Sequence, residues 1–583
     1  MPEGFDPAVA LTGPGAPFEV VTEEVAGIET KVYRQRMKSL REVLNNSGGF
    51  GDKDFVVQGE RRLSYAGHLE AARQSAATLA RDFGVKKGDR LAILSANSPE
   101  WIISFWTAQA MGAVAVPLNA WWKAEELTYA LEDSGTRVLI CDQRRLDVIK
   151  DVAHHLDFLE AIFVSGSYSG DDEIGGIKVF PFERLLESEA SDAPEWEIAE
   201  DDPAAIFYTS GTTGKPKGSI STQRNIIANL QNVTFFGLLN RMIKPPAQPS
   251  GGPLLQVEMA SLLVVPLFHV TGCYATMIIY LATGGKIVLM PPGPFDAAVA
   301  MKLIEDEKVT SFGGVPTLVQ RVIDHPDFEK FDLSTLNQVV YGGAPPPVEL
   351  ARKVKERFPN VSGAGGAGMA YGLTETAAIA TLNVGDSYFE KPDSAGKPLP
   401  VVELRIVKED GSEAVPGERG EIWIKGPTVS PGYWKKPEAT AEAFTDGWLH
   451  SGDIGILDED GWLYVVDRAK DMIIRGGENV YSIEIEDVIY THPDVEECAV
   501  VGVPHPDLGE EVKVVVVPRI GAALAEDDIK ELCAKHLADF KVPSIVEFRE
   551  TPLPRNPAGK VLKAALRGDG TAFEEDPESD SAL

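Results

Sequence analysis

Short apolar runs and helix-like segments alternate along the first part of the chain. The apolar runs lie at 89–94, 114–117 and 137–141, and the segments between them, 101–110 and 124–131, repeat their apolar residues at helical spacing. Strands that alternate with helices in this way are typical of a parallel sheet covered by helices on both faces. The pattern therefore predicts an α/β protein with doubly wound sheets.

Two later changes of pattern predict further units. Residues 404–407 and 420–425 read as strands joined by turn-rich sequence, which predicts a small β unit at about 400–467. Beyond it, a helix-like segment at 483–489 and two valine-rich runs predict a separate α+β domain. The predicted organisation is a surface arm (1–40), a large domain that includes the β unit (41–467), a small C-terminal domain (468–566) and a disordered acidic tail (567–583).

Composition narrows the class of protein. The chain has 583 residues, of which 44% are hydrophobic and 25% charged, as in an ordinary globular protein. The net charge of −33 argues against nonspecific binding to nucleic acid or to anionic lipid. The four cysteines are scattered, without metal-ligand spacing, and are read as reduced thiols. We find neither a signal peptide nor a membrane-spanning run, and we expect a cytoplasmic protein.

One loop carries the strongest chemical signal. The segment 208–218, Tyr-Thr-Ser-Gly-Thr-Thr-Gly-Lys-Pro-Lys-Gly, lies between a strand-like run at 204–208 and a helix-like run at 223–230. Glycines allow close backbone approach, hydroxyls donate hydrogen bonds and lysines supply positive charge, all of which suit a polyphosphate. Only two residues separate Gly211 from Gly214, which excludes the Walker A spacing. The alternative is a flexible linker.

This loop resembles the phosphate-loop signature of the adenylate-forming superfamily, which contains acyl-CoA synthetases, peptide-synthetase adenylation domains and beetle-type luciferases. The resemblance covers residues 60–565 in the family's order. It implies a mobile C-terminal domain and the use of ATP, Mg²⁺ and coenzyme A. By the same resemblance, the residues that hold ATP in this loop are Thr209, Ser210, Gly211, Thr212, Thr213, Gly214 and Lys215.

Two further segments match the superfamily around the nucleotide. In the stretch 371–376, Tyr-Gly-Leu-Thr-Glu-Thr, the resemblance implies that Glu375 binds Mg²⁺ and that Thr374 forms a hydrogen bond with the α-phosphate. The alternative for this pair is a helix N-cap. The resemblance also places the segment Gly342, Gly343, Ala344 and Pro345 against the adenine, with Tyr371 and Gly372 on the other side.

The remaining catalytic candidates lie far apart in the sequence. By resemblance, Asp453 and Arg468 hold the ribose, and Lys560 bridges the attacking carboxylate and the α-phosphate. An isolated lysine is otherwise a surface residue. His269 corresponds to a residue that borders the carboxylate pocket in the family, although a single histidine among apolar residues is also typical of a core.

The resemblance also predicts a hinge and a path for the acyl acceptor. Lys470 matches the hinge about which the small domain rotates after adenylation. The loop that follows, with Arg475, Gly476 and Gly477, would then bind coenzyme A. The Pro/Gly-rich stretch 240–253 departs from the family. The run 363–368 satisfies G-x-G-x-x-G, but its context does not favour a dinucleotide site.

These observations lead to a ranked set of functions. The first is an acid–thiol ligase (AMP-forming acyl-CoA synthetase) acting on a medium- or long-chain fatty acid, because Gly272, Met277 and Val315 predict an apolar pocket near His269. An aryl-acid CoA ligase is its nearest rival. The alternatives are a stand-alone adenylation enzyme that loads a carrier protein and a non-catalytic nucleotide-binding relative. We expect no nucleic-acid partner, a monomer or homodimer, and at most peripheral membrane contact.

Overall fold

The predicted α/β class is confirmed, with a large N-terminal domain and a smaller C-terminal domain. The structure is a computed structural model. It describes residues 6–166, 168, 170, 172–209, 215–243, 259–342, 348–361, 366–476, 478–519, 521–556 and 559–567.

The first sheet has eight strands, parallel in its centre and antiparallel at both edges. Its central strands are buried and apolar, as expected where helices cover both faces. In spatial order the strands are Lys217–Thr222, Pro203–Thr209, Val114–Pro117, Arg90–Leu94, Thr136–Asp142, Ala161–Ser165, Ile177–Pro181 and Glu173–Ile174.

The second sheet has nine strands and the same plan, with a parallel centre and antiparallel edges. A strand, and not a helix, follows Gly366, so the G-x-G-x-x-G run lacks the context of a dinucleotide site. In spatial order the strands are Lys397–Pro398, Thr381–Val384, Ala367–Tyr371, Gln338–Tyr341, Ser311–Gly314, Ala260–Leu263, Lys286–Leu289, Asp54–Gln58 and Arg61–Ser64.

Helices fill the space between and around these sheets. Every residue of the helix Pro99–Met111 except Glu100 is buried, and Trp106 shares one core cluster with Ile93 of the first sheet and Phe55 of the second. A helix that is apolar on all sides has to be surrounded by other elements. The other helices of the large domain are Pro7–Thr12, Leu40–Ser47, Tyr65–Phe83, Ala124–Ser134, Gln143–Lys150, Gln223–Ile243, Val270–Gly272, Ile278–Thr283, Ala297–Glu307, Pro316–Ile323, Val348–Arg357, Asp386–Glu390 and Pro437–Ala443.

Two smaller sheets follow in the chain. One pairs Glu403–Val407, Arg419–Lys425, Trp448–Leu457, Phe444–Thr445 and Leu463–Arg468. The other, in the C-terminal domain, pairs Glu478–Val480, Ile473–Arg475, Gly509–Pro518, Val495–His505 and Ile545–Phe548. The helices of the C-terminal domain are Ser482–Ile489, Glu526–His536 and Lys563–Arg567. No helix in the described part of the chain is both long and apolar enough to span a bilayer.

The N-terminal segment, expected as a surface arm, has a structure of its own and packs on the large domain. It forms the helix Pro7–Thr12 and a hairpin of Val20–Val25 with Ile28–Tyr33. The rings of Phe18 and Phe235 meet edge to face, with their centroids 5.6 Å apart. The N-terminal segment therefore contributes to a small apolar cluster that its mixed sequence did not predict. The expected acidic tail lies outside the described residues from 568 onward.

Gly396 allows a close backbone approach at the edge of the second sheet. Its φ is +96°, and a Cβ there would lie 2.0 Å from the carbonyl oxygen of Leu382. We expect Gly396→Ala to lower the free energy of unfolding of the large domain by about 3 kcal/mol, because it adds backbone strain and a clash.

The matched control is Gly411→Ala, since Gly411 also has a positive φ but no atom lies within 4 Å of its added Cβ. It should cost only the strain, about 1 kcal/mol. Urea unfolding followed by tryptophan fluorescence measures both variants, and equal losses would show that the close approach is relaxed easily.

Candidate active site

Six of the residues singled out from the sequence meet in a cavity between the two domains. Its volume is about 1090 Å³, and residues from both domains line it. The sequence-predicted residues in this lining are Val315, Tyr371, Gly372, Asp453, Arg468 and Lys560. The fold thus brings together residues separated by almost 250 positions in the chain.

Asp453 is the centre of a buried polar group in this cavity. It lies opposite Arg468 in the pairing of strands Trp448–Leu457 and Leu463–Arg468. The Arg468 Nε donates to Asp453 Oδ1 at 2.8 Å, and the Tyr371 hydroxyl donates to Asp453 Oδ2 at 2.8 Å. Burial raises the pKa of Tyr371. Tyr371 is therefore anchored at its hydroxyl, and both Tyr371 and Arg468 line the cavity.

Lys560 reaches the same cavity from the C-terminal domain. Its loop closes through the Asn556 side chain, which accepts from the Lys560 backbone N–H at 2.9 Å. At the preceding Gly559, φ is +80° and an added Cβ would lie 2.7 Å from Val315, so the loop touches the large domain. Burial, and after it the charge of Arg468, lower the pKa of Lys560 to about 8. An ammonium held this way gains from any anion that enters.

Glu375 is almost fully buried, at 9% exposure, in the short 3₁₀ turn Thr374–Thr376. Its Oε1 accepts a hydrogen bond of 2.8 Å from the Tyr433 hydroxyl, and burial raises its pKa. The turn is closed by Thr376, whose hydroxyl accepts from the Leu373 backbone N–H at 2.9 Å. Thr376, and neither Thr374 nor Glu375, therefore makes the capping contact that was the alternative for this motif.

The ends of the phosphate loop are held in place by aromatic rings. The Lys215 Nζ lies 4.7 Å from the ring centroid of Tyr129, and the Lys217 Nζ lies 5.0 Å from that of Tyr433. The Thr209 hydroxyl donates to the Lys217 carbonyl at 3.3 Å. Of the other predicted nucleotide contacts, Gly342 directly follows the strand Gln338–Tyr341 of the second sheet. The remaining ones lie outside the described residues: Ser210, Gly211, Thr212, Thr213, Gly214, Gly343, Ala344 and Pro345.

The hinge segment is tied to the end of the small domain. The Lys470 carbonyl accepts from the Arg567 guanidinium at 3.2 Å, and Arg567 also pairs with Asp471 at 3.0 Å. Burial lowers the pKa of Lys470. Just before it, the buried Asp467 accepts from the Ser482 backbone N–H at 2.6 Å. Arg567 and Ser482 thus connect the hinge segment to the small domain.

Of the predicted coenzyme A residues, Arg475 and Gly476 do not line this cavity. The Arg475 Nε pairs with Glu511 at 2.8 Å, so the guanidinium expected to meet a phosphate already has an anionic partner. Gly476 has a φ of +61°, and its N–H donates to the Leu508 carbonyl at 2.7 Å. Gly477 lies outside the described residues. Lys560 therefore lies in the cavity. The hairpin of Ile473–Arg475 and Glu478–Val480, here called the Arg475 hairpin, belongs to the small domain, and Arg475 does not line the cavity.

His269 also lies outside the lining of this cavity. Burial lowers its pKa to about 4, so the imidazole is neutral at physiological pH, and its buried Nε2 has no hydrogen-bond partner among the described residues. Of its expected apolar neighbours, Met277 is fully buried in the core, and a Cβ at Gly272 would lie 2.4 Å from the Pro266 carbonyl. Met277 and Gly272 therefore belong to the packed interior, and of the three residues expected to form an apolar pocket Val315 lines the cavity.

Among the described residues, two ion pairs join the small domain to the large domain. The Arg519 Nη1 of the small domain lies 3.3 Å from Asp324 Oδ2, which also pairs with Lys353. On the other side, Arg419 pairs with Glu484 at 2.8 Å. All these groups are partly exposed, so each pair contributes little alone.

The carboxylate of Glu375 fits a divalent cation that the nucleotide carries. In the described part of the chain, no group of three or more His, Cys, Asp or Glu side chains could hold a metal ion. Mg²⁺ typically takes one or two carboxylates and completes its shell with phosphate oxygens and water. A single buried carboxylate beside the phosphate loop meets this requirement.

Sequence analysis missed Tyr433 as a neighbour of Glu375. Tyr433 stands in the run Gly432-Tyr-Trp-Lys-Lys-Pro437, where a glycine and a proline enclose aromatic and basic residues. That composition indicates an ordered turn, but nothing local in it points to Glu375, 58 positions away.

Comparison with known proteins identifies the family of this chain. The model of the AMP-binding enzyme family matches residues 44–434, and that of the AMP-binding enzyme C-terminal domain matches residues 484–560. A feruloyl-CoA synthase from Amycolatopsis is 36% identical over 88% of this chain and 95% of its own length. A long-chain-fatty-acid–CoA ligase from Bacillus subtilis is 34% identical over 92% and 95%.

A solved structure gives the same picture. The crystal structure of an anthranilate CoA ligase in complex with anthranoyl-AMP superimposes with a TM-score of 0.80 at 26% identity, covering 92% of this chain and 98% of that one. The chain belongs to the AMP-binding enzyme family. Within that family it is an AMP-forming acyl-CoA synthetase, which uses ATP, Mg²⁺ and coenzyme A.

We expect Asp453→Asn to weaken ATP binding by about tenfold or more, because the variant loses the anionic partner that orients Arg468 and Tyr371. The control is Asp458→Asn, near the end of the same strand, where the amide can still accept from the Trp462 N–H. Calorimetric titration with ATP measures both. Equal affinities would show that Asp453 does not face the nucleotide.

Proposed function

We propose that this synthetase activates an apolar carboxylic acid, with a medium- or long-chain fatty acid as the first candidate substrate and an aryl acid as the second. The position of Lys560 is the main support for the roles that we assign to the site residues. Lys560 lies in one cavity with Tyr371, Asp453 and Arg468, although it belongs to another domain. That arrangement suits the adenylation step.

The surroundings of His269 support an apolar acid. The rings of Phe268 and Trp121 meet edge to face at 5.2 Å next to it. The acidic residues that precede the phosphate loop have partners already, since Asp201 pairs with Arg224 and Asp202 with Lys87, each at 2.6 Å. They are therefore poorly placed to bind the ammonium of an amino acid.

The second candidate, an aryl acid, has its own support. Of the three similar proteins described above, two are named for aryl acids, ferulate and anthranilate, and one for long-chain fatty acids. Because the chain is an acyl-CoA synthetase, the alternative of a stand-alone adenylation enzyme that loads a carrier protein no longer applies. The cytoplasmic location, the monomeric or dimeric state and any peripheral membrane contact remain expectations from sequence.

In the first half-reaction, a carboxylate oxygen of the acid attacks the α-phosphorus of ATP, and pyrophosphate leaves. Negative charge builds up on the phosphate oxygens, so the protein works mainly by positioning and by charge neutralisation. We assign Lys560 to bridge the acid and the α-phosphate, Thr374 to the α-phosphate, and Asp453 with Arg468 to the ribose. Glu375 would hold Mg²⁺, which neutralises phosphate charge when bound.

In the second half-reaction, the thiol of coenzyme A attacks the acyl carbon, and AMP leaves. Lys560 fills part of the cavity in the present arrangement, while the Arg475 hairpin lies elsewhere. We propose that the small domain turns about Lys470 between the two steps, withdraws Lys560 and brings Arg475, Gly476 and Gly477 to the acyl-adenylate. For Arg475 to meet a phosphate, its pair with Glu511 has to open.

A panel of acids tests the substrate class. The purified enzyme, with ATP, Mg²⁺ and coenzyme A, is assayed for AMP release with octanoate, palmitate, benzoate, ferulate, malonate and glycine. We expect the highest kcat/KM for a fatty acid, or for an aryl acid if the second candidate holds. Preference for malonate or glycine would contradict the proposal.

Lys560→Ala should slow adenylation by about 10²–10³-fold, since it removes one contact to charge that peaks in the transition state. Thioester formation from pre-made acyl-adenylate should stay near the wild-type rate. The control is Lys535→Ala, which changes an exposed lysine of the same domain. Equal loss in both half-reactions would contradict the division of labour between two domain orientations.

The pKa of Lys560 predicts the pH dependence. Because burial lowers that pKa to about 8, the free enzyme loses the ammonium as pH rises through this value, and kcat/KM for adenylation should fall there. Lys560→Arg keeps its charge and should abolish the alkaline limb while reacting more slowly. If the alkaline fall in kcat/KM is unchanged in Lys560→Arg, the titrating group is not Lys560.

A further inference from the structure

The segment that carries Tyr433 is fixed to the strand that leaves the phosphate loop. The Ile220 N–H donates to the Gly432 carbonyl at 3.1 Å, and the Trp434 N–H donates to the Gly218 carbonyl at 2.8 Å. Ser219 and Tyr433 thus form an antiparallel bridge. Any shift of the strand Lys217–Thr222 is therefore transmitted to Tyr433.

The same segment holds the turn of Glu375 through its main chain. The Ser430 N–H donates to the Glu375 carbonyl at 2.7 Å. A further bond, from the Tyr433 N–H to the Thr440 hydroxyl at 2.9 Å, fixes the tyrosine backbone to the helix Pro437–Ala443. The side chain of Tyr433 consequently projects from a backbone that is secured on two sides.

The Tyr433 side chain contacts two charged groups, one through its hydroxyl and one through its ring. Its hydroxyl donates to Glu375 Oε1 at 2.8 Å, and the Lys217 ammonium lies 5.0 Å from its ring centroid. An edge-to-face contact with Phe444, at 5.9 Å, fixes the ring plane. One tyrosine therefore links the cationic end of the phosphate loop with the buried carboxylate.

We propose that Tyr433 is a positioning residue that orients the Glu375 carboxylate toward the metal–nucleotide complex. This inference rests on the proposed role of Glu375. The hydroxyl occupies Oε1, and Oε2 accepts no side-chain hydrogen bond from the residues that the structure describes. A carboxylate bound at one oxygen presents the other in a fixed direction, which favours a cation that demands strict octahedral geometry.

The test compares ATP binding with and without Mg²⁺ in Tyr433→Phe. This variant keeps the ring, and with it the contacts to Lys217 and Phe444, but loses the hydrogen bond. We expect calorimetry to show ATP affinity about tenfold weaker in Mg²⁺ and unchanged in EDTA, because only the metal-bound form uses the oriented carboxylate. The Mg²⁺ concentration for half-maximal pyrophosphate exchange should rise by a similar factor.

Two variants separate orientation from packing. Tyr464→Phe loses a hydroxyl that pairs with Lys391 and should bind ATP as the wild type does under both conditions. Tyr433→Leu removes the ring beneath Lys217 and should weaken ATP binding in EDTA as well. Thioester formation from pre-made acyl-adenylate should be unaffected in Tyr433→Phe.

The outcomes distinguish this inference from the proposed function. A wild-type enzyme without Mg²⁺-dependent pyrophosphate exchange would overturn the role of Glu375 itself. If the wild type shows that exchange, equal loss of ATP affinity with and without Mg²⁺ in Tyr433→Phe would overturn the positioning role. Unchanged affinity under both conditions would overturn it too.

Discussion

The structure depends on a small group of charges that is desolvated where the two domains meet. Asp453 lies between Arg468 and Tyr371, and Lys560 approaches the same cavity from the other domain. Burying one ammonium near a guanidinium is unfavourable, as the lowered pKa of Lys560 shows. The arrangement becomes favourable when an anion enters between them. Affinity for a negatively charged nucleotide and closure of the small domain are thereby coupled.

The large domain holds its site residues firmly, whereas the small domain holds Lys560 through weaker contacts. Asp453 and Arg468 belong to one pair of strands, so the register of the sheet fixes their spacing. Glu375 is held through its main chain and its side chain by the Ser430–Tyr433 segment. Lys560, in contrast, depends on a loop contact with Val315 and on exposed ion pairs between the domains. The weaker contacts are those that a turning domain has to break.

Sequence patterns predicted the α/β class well, because buried parallel strands leave apolar runs that are hard to mistake. The strand Val114–Pro117 has the predicted bounds. The motif residues Tyr371, Asp453, Arg468 and Lys560 were also named in advance.

Contacts between segments that are distant in the chain could not be predicted from the sequence. The hydrogen bond from Tyr433 to Glu375 and the ion pair of Arg475 with Glu511 join residues that no local pattern connects. The packing of Phe18 on Phe235 depends likewise on tertiary contact. The roles of the site residues could be inferred from the resemblance to the adenylate-forming superfamily, but the orientation of each side chain required the fold.

A covalent link between the domains tests the central claim most directly. In the double variant Asp324→Cys, Arg519→Cys, a short bismaleimide would join two positions whose native side chains lie 3.3 Å apart, and the four native cysteines are buried. Single-cysteine variants treated with the same reagent serve as controls. The account predicts that the linked enzyme still forms acyl-adenylate but no longer transfers the acyl group to coenzyme A. Undiminished thioester formation by the linked enzyme would contradict it.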